Sequence, residues 1–493
     1  MADLFLNGSA TCAALPKASI VPLMQWATPE ERRNLGQARR KQVGRQEHNE
    51  LKPKARQTPA AELLARSMSG RVPALIKLKY ALMAASPFGY FRGAVPVMAA
   101  DLALLPSTGL TAQLCGDAHV RNLGAFAAPD GRLTFDINDF DETIRGPFEW
   151  DLKRMAASLV LAGRESGHKD ASARAAVEKM VARYSAQMSA FSKMTFLDVA
   201  HYQVHRLNLI APVQKALLKA EHATPQHTLD QLTEPIASHP FPKERGKDGA
   251  RAKANAGPST TLRSAQDDKV KDGKERRFKE IKPNLTHVTS TQAAAVLAAL
   301  GPYRLMLEPQ RRHLLSLYRP VDVAFKVVGT GSVGLRDYCI YFEGNGPADP
   351  LFLQIKEEPA SGYAPYLPDA QSPPHNGQRV AEGQKAMQVQ SDPFLGWTHF
   401  GGRDYLVRQL NDHKGSIELE DLASGGLEGY AEVCGELLAR GHARSGDPLI
   451  LNGYIGSGDG FAEALAKFGS AYADQTEKDW NELKRSGKAG KTT

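Results

Sequence analysis

The sequence predicts an α+β protein of two lobes, a small antiparallel β lobe and a large helical one, and three observations carry that expectation. The 493 residues exceed one ordinary domain and suffice to bury a core in each lobe. Residues 150–225 show the apolar spacing of helices, whereas residues 323–410 show short strand-like runs broken by Gly-rich turns. Between these blocks, residues 241–281 are rich in Gly, Ser, Lys, Arg and Asp and nearly free of large apolar side chains. Such a stretch cannot offset the entropy of ordering, so a disordered insertion is expected there.

Taken in order, residues 1–58 are a polar, basic arm, and 59–235 are a helical lobe that also holds a short hairpin. Within it the spacing predicts helices over Trp150–Ala162, over Ala171–Phe191 with Asp170 as N-cap, and over Leu197–Ala220. After the insertion, 285–425 form the β-rich lobe, opened by a helical pattern over Leu285–Leu315. Residues 426–485 return as helices (Leu427–His442, Phe461–Leu483) that pack on the helical lobe, and 486–493 are a disordered tail.

The formal net charge is +8, but residues 240–282 carry 13 Lys/Arg against 7 Asp/Glu, so most of the excess lies in the insertion. A specific nucleic-acid cleft is therefore not expected. Four scattered cysteines without C-x-x-C spacing point to reduced thiols, and no apolar run approaches a membrane span. A soluble, cytoplasmic protein with no membrane partner is the expectation.

Chemistry concentrates in Cys115–Asp151, CGDAHVRNLGAFAAPDGRLTFDINDFDETIRGPFEWD. Asp130-Gly131 between Leu123–Ala127 and Leu133–Ile137 signals a hairpin, which returns the second strand's end to the first strand's start. Asp117 and Asn122 then meet Asp136, Asn138, Asp139 and Asp141 at one end. Oxygen-only ligands suit Mg²⁺, and Asn122, Asp136, Asp139 and Asp141 are its candidate ligands. Upstream, Arg92 is a candidate contact for phosphate or substrate.

Gly116, Asp117, His119 and Asn122 match the Gly-Asp-x-His-x-x-Asn loop of the aminoglycoside phosphotransferase and protein-kinase-like superfamily, which the segment resembles. The resemblance implies ATP and Mg²⁺ as cofactors, with Asp117 and His119 catalytic. It also implies a Gly-Pro and a structural Asp after the metal Asp. Asp139, with Gly146-Pro147 and Asp151, fits that spacing better than Asp136. In Phe325–Glu357 the resemblance makes Gly329, Gly331, Ser332 and Gly334 a loop over the nucleotide phosphates and Lys356 their strand lysine. Glu382 is then the expected partner of Lys356, strand 405–410 with Arg408 the nucleotide hinge, and Leu438–His442 the helix end before the catalytic loop.

The whole span 60–480 also resembles domain-of-unknown-function family 2252, through Ser86-Pro87-Phe88, Phe91-Arg92-Gly93, Gly116–His119, Phe135–Glu142, Gln354–Glu357 and His442–Asp447. Relative to kinases the parts stand in circularly permuted order, catalytic loop first and Gly loop later. Read cyclically, the order is the same. The resemblance therefore implies a bilobal kinase-like fold with one cleft, in which Lys356 meets Asp139 although 217 residues separate them. The function it implies is phosphoryl transfer to a hydroxyl of a small-molecule acceptor. A metal-dependent phosphoesterase, a nucleotidyl transferase and a non-catalytic nucleotide-binding protein are the alternatives.

Overall fold

The structure is a computed structural model that describes residues 27–204, 210–236, 275–410, 413–423 and 425–488. In chain order its strands are β1 (Thr111–Leu114), β2 (Leu123–Ala127), β3 (Leu133–Ile137), β4 (Ile144–Pro147), β5 (Thr233–Pro235), β6 (Arg276–Phe278), β7 (Leu285–His287), β8 (Arg319–Lys326), β9 (Asp337–Gly344), β10 (Gly346–Glu357), β11 (Gly396–Phe400), β12 (Arg403–Gln409) and β13 (Gly415–Ser416). They pair antiparallel in sheets ordered β1-β4, β13-β2-β3, β5-β6 and β11-β12-β10-β9-β8-β7.

The six-stranded sheet follows from two-residue alternation. Leu351, Leu353 and Ile355 of β10 join Ile340, Phe342 and Val407 in a core covered by the helices Ser290–Ala298, Leu300–Met306 and Pro309–Ser316. Phe352 points the other way, into a cluster with Cys339, Tyr341 and Phe278. Gln354 and Lys356 share the face of Phe352, so the same alternation turns their polar groups towards the rest of the chain.

The other half is built on helix Glu149–Glu165, which is buried almost all round. A helix in that position cannot leave its charges bare, because an unpaired buried charge costs several kcal/mol. Each has a partner: Glu149 accepts from Thr108 N at 2.7 Å, Lys153 stands 4.9 Å over the Phe468 ring, and Asp151 and Arg154 both grip the 115–117 loop. Helices Asp170–Phe191, Gly426–Ser445 and Phe461–Arg485 complete this core together with β2 and β3.

Several boundaries differ from expectation for identifiable reasons. Asp170 is the first helical residue, not the cap; Lys169 takes that position, and Asp170 pairs with Arg164 at 3.0 Å. The helix expected over Leu197–Ala220 is two, Phe196–His201 and Ala211–His222, because Pro212 lacks an N–H and fits only a first turn. Leu285–His287 forms a strand on β8 before the three short helices begin. Residues 241–274 of the expected insertion, 1–26 of the arm and 489–493 of the tail lie outside the described residues, but Arg276–Phe278 forms a strand because Phe278 is buried. Helix Pro29–Gln42 of the arm is docked: its Gly36 lies so close to Ile450 O that a Cβ would stand 2.0 Å away. Among the described residues no helix is long and apolar enough to cross a membrane.

Candidate functional site

The loop between β1 and β2 is held from three directions. Asp151 accepts hydrogen bonds from the backbone of Cys115 (2.8 Å) and Gly116 (3.0 Å), and His442 Nε2 lies 3.3 Å from the same carboxylate. Gly116 has φ +84°, and a Cβ there would sit 2.1 Å from Glu142 O, so both backbone and space demand glycine. Asn122 Nδ2 donates to Asp117 O at 2.7 Å, closing the turn and leaving Oδ1 as the amide's remaining ligand atom.

Asp117 is held by Arg154, whose Nε donates to Oδ1 at 2.6 Å; Arg154 itself is fully buried and also donates to Phe91 O at 3.1 Å. Burial raises the Asp117 pKa above the ordinary carboxylate value against the pull of Arg154. His119 Nδ1 accepts from Arg121 N at 3.1 Å, which assigns the ring proton to Nε2, 3.6 Å from Asp117 Oδ2. Burial, then the nearby arginines 92, 154 and 121, push the His119 pKa far down, so the ring is neutral. Asp117 thus has one oxygen tied and one facing an uncharged imidazole.

Past β3 the acids separate. Asp136 lies opposite Gly124 in the hairpin and is buried against Arg440, with Ile137 N donating at 2.7 Å. It does not join the other acids, and this corrects its place in the expected metal set. Asp139 and Asp141 do face the site, and Lys356 Nζ is bonded to Asp141 Oδ2 and lies 3.9 Å from Asp139 Oδ1. Lys356 holds Asp141 well below the ordinary carboxylate range, while burial and the neighbouring Asp141 raise Asp139 above it. Asp141 Oδ1 is buried without a hydrogen-bond partner among the described residues.

The 329–334 turn reaches the same acids: Ser332 Oγ donates to Asp141 Oδ2 at 3.0 Å. Gly329 (φ +60°) and Gly334 (φ +91°) supply left-handed backbone, and the carbonyls of Thr330 and Gly331 accept from Lys79 Nζ at 3.1 and 2.6 Å. A cavity of about 440 Å³ opens between these parts. Asp117, His119, Asn122, Asp139 and Asp141 line it together with Gly329, Gly331 and Ser332 of the turn and with Arg71, Lys79 and Arg92. Its volume falls in the ~300–1,000 Å³ range of small-molecule sites.

Two expected cofactor residues are elsewhere. Glu382 is exposed and accepts from Gln378 Nε2 at 2.7 Å, since the buried face of helix Asn376–Met387 passes through Val380, Gly383, Gln384 and Met387. That helix instead sends Arg379 inward, to the carbonyls of Thr143 (2.6 Å) and Asp141 (2.9 Å). Arg408 is bonded to Gln354 Oε1 at 2.8 Å and lines a separate space of about 40 Å³, and its strand β12 lies inside the sheet, paired on both sides.

The sequence reasoning missed Arg154, Arg379 and Glu358. Arg154 follows Asp151 by one helical turn, which put it in reach of the same loop. Glu358 lies two residues past Lys356, hence on the same face; it is buried on the cavity wall, both its oxygens lack a hydrogen-bond partner among the described residues, and burial pushes its pKa far up. His375, His399 and Asp404 also approach one another closely enough for a metal. His375 Nδ1, however, accepts from Gln378 N at 3.2 Å, so its proton sits on Nε2 and its lone pair is spent on a helix cap.

A family model described as an uncharacterized protein conserved in bacteria (DUF2252) matches residues 71–486. No curated protein and no solved structure matches the chain.

Proposed function

The chain belongs to the DUF2252 family, and from the chemistry of its site we propose that it is an ATP- and Mg²⁺-dependent phosphotransferase acting on a hydroxyl of a small-molecule acceptor. One observation carries the reading: Asp117, Asn122, Asp139, Asp141 and the 329–334 turn border one cavity, with Lys356 bonded to its acids across 215 residues of sequence.

The donor set fits Mg²⁺. Asp139, Asp141 and Asn122 Oδ1 are all oxygen ligands, and the unpartnered Oδ1 of Asp141 is a buried acceptor that a cation would satisfy. Bound Mg·ATP would supply the phosphoryl group and the charge that neutralises its oxygens. The chain's own residues do the rest. Arg154 fixes Asp117 so that Oδ2 is presented to accept the proton of the attacking hydroxyl. Neutral His119 limits where that carboxylate points. Lys356 supplies positive charge beside Asp141, and Ser332 ties the Gly-containing turn to the same carboxylate.

On this reading the fold is bilobal, kinase-like and circularly permuted. A Gly-containing turn joins β8 to β9, the lysine stands on β10, and a helix precedes β11 and β12, which supports the correspondence. Glu382 departs from it, its place beside the lysine being taken by Asp141. A cytoplasmic setting goes with this chemistry. The reading is tested by incubating the protein with Mg·ATP and a metabolite library and identifying a phosphorylated product by mass; ADP formed alongside an acceptor heavier by one phosphoryl group supports it, and AMP with a nucleotidylated acceptor replaces it by nucleotidyl transfer.

A further inference from the structure

The cavity is charged unevenly. Arg71, Lys79 and Arg92 are among its lining residues, and among the described residues none of them bonds to a carboxylate. Arg71 gives its Nε and one NH to the carbonyls of Ser67 (3.0 Å) and Val333 (2.7 Å). Lys79 is buried, and its ammonium meets only the carbonyls of Thr330 and Gly331. Arg92 is the least satisfied, because its Nε is buried without a hydrogen-bond partner.

Other buried cations of this chain pair with carboxylates, Arg154 with Asp117, Arg440 with Asp136 and Arg56 with Asp101 at 2.6 Å, whereas Arg379 donates to backbone carbonyls and Lys153 stands over the Phe468 ring. Lys79 is buried and Arg71 and Arg92 are half-buried, and an anionic ligand in the cavity would give the buried Arg92 Nε the acceptor it lacks. Arg92 stands on the catalytic-loop side, where its charge depresses His119 and attracts Asp117. Its helix, Pro87–Gly93, is held there by Ser86 Oγ accepting from Gly89 N (3.0 Å), by Glu165 accepting from Phe88 N (2.7 Å) and by Arg154 on Phe91 O. These contacts fix the backbone that carries Arg92 at the cavity, and a guanidinium there can take two oxygens of one anion.

We infer that the acceptor is itself anionic, carrying a carboxylate or phosphate that Arg92 binds while its hydroxyl faces Asp117. Lys79 and Arg71, committed to the 330–333 carbonyls, add positive field rather than direct contacts. This rests on the phosphotransferase reading for the role of the hydroxyl, but the anion site stands on the unpartnered Arg92 Nε in the cavity alone.

The test titrates inorganic phosphate and acetate into the full chain at constant ionic strength, with chloride as reference, and follows binding by melting temperature and calorimetry. The wild type should bind phosphate or acetate saturably, and Arg92→Met should weaken that binding about tenfold or more, the loss expected for a charge-assisted bidentate pair. Arg92→Lys, which keeps the charge and the fold but not the fork, should recover part of it. Mg·ATP binding, measured on the same variants, should stay within about twofold of wild type, since the inference gives Arg92 to the acceptor and not to the nucleotide. Anion binding that Arg92→Met leaves unchanged, or no saturable response to either probe, overturns the inference. An equal loss of Mg·ATP affinity also overturns it, making Arg92 a nucleotide clamp. Arg92-dependent anion binding in a protein that does not bind Mg·ATP keeps the anion site and removes the phosphotransferase reading.

Discussion

Lys356 Nζ lies 3.9 Å from Asp139 Oδ1 and is bonded to Asp141, so a strand of the six-stranded sheet and the end of the β2–β3 hairpin share one half-buried cluster of charge. One cation between two acids leaves the cluster net negative. A divalent ion and a polyphosphate together complement such a cluster better than either alone, and the variants below follow from that balance.

Asp117→Asn should reduce turnover by about 10²–10⁴-fold, the usual worth of a general base, with Mg·ATP affinity within about twofold of wild type. Asp139→Asn and Lys356→Met should instead weaken nucleotide binding. Calorimetric titration of the three variants beside their turnover separates the roles; equal loss of nucleotide affinity in Asp117→Asn argues against its place as base.

Asp136→Ala should act on stability. It leaves Arg440 buried without its carboxylate, which costs about 3–5 kcal/mol, while Mg²⁺ affinity per folded molecule stays the same. Urea unfolding together with Mg²⁺ titration checks this. A selective loss of Mg²⁺ affinity in a stable variant would return Asp136 to the metal site.

The hairpin and its acids were legible because their signals are local: Asp130-Gly131 and two short apolar runs define β2 and β3, and the loop residues follow within a few positions. The strand lysine was legible for the same reason, as the end of an apolar run after a Gly-rich turn. Arg154, Arg379 and Glu358 were not, since their roles depend on partners or a cavity brought together by the fold; Arg379 meets Thr143 across 236 residues. Glu382 shows the limit of reasoning from resemblance alone. Its helix phase, with Val380, Gly383, Gln384 and Met387 on the buried face, turns it to solvent. Asp136 and Asp139 share a dense acidic segment; the spacing to Gly146-Pro147 and Asp151 favours Asp139, and the buried Arg440 beside Asp136 separates the two in the fold.

Asp337 makes a prediction about pH. It is buried, its Oδ1 lacks a hydrogen-bond partner among the described residues, and burial raises its pKa to about 6. A carboxyl raised on folding binds its proton more tightly in the native state, so its contribution is fully present below the unfolded value near 4 and is lost as pH rises to about 6. Asp337→Asn, which stays neutral, should be more stable than wild type at pH 7 and lack that loss. Melting curves of both proteins between pH 4 and 7 that run parallel would show that Asp337 is not raised.

The most direct measurement is a calorimetric titration of ATP into the wild-type protein with and without Mg²⁺. Binding that requires the metal, and that Asp139→Asn and Lys356→Met both weaken, is the predicted result. Absence of binding at millimolar Mg·ATP, or binding indifferent to Mg²⁺ and to both substitutions, would contradict the phosphotransferase account.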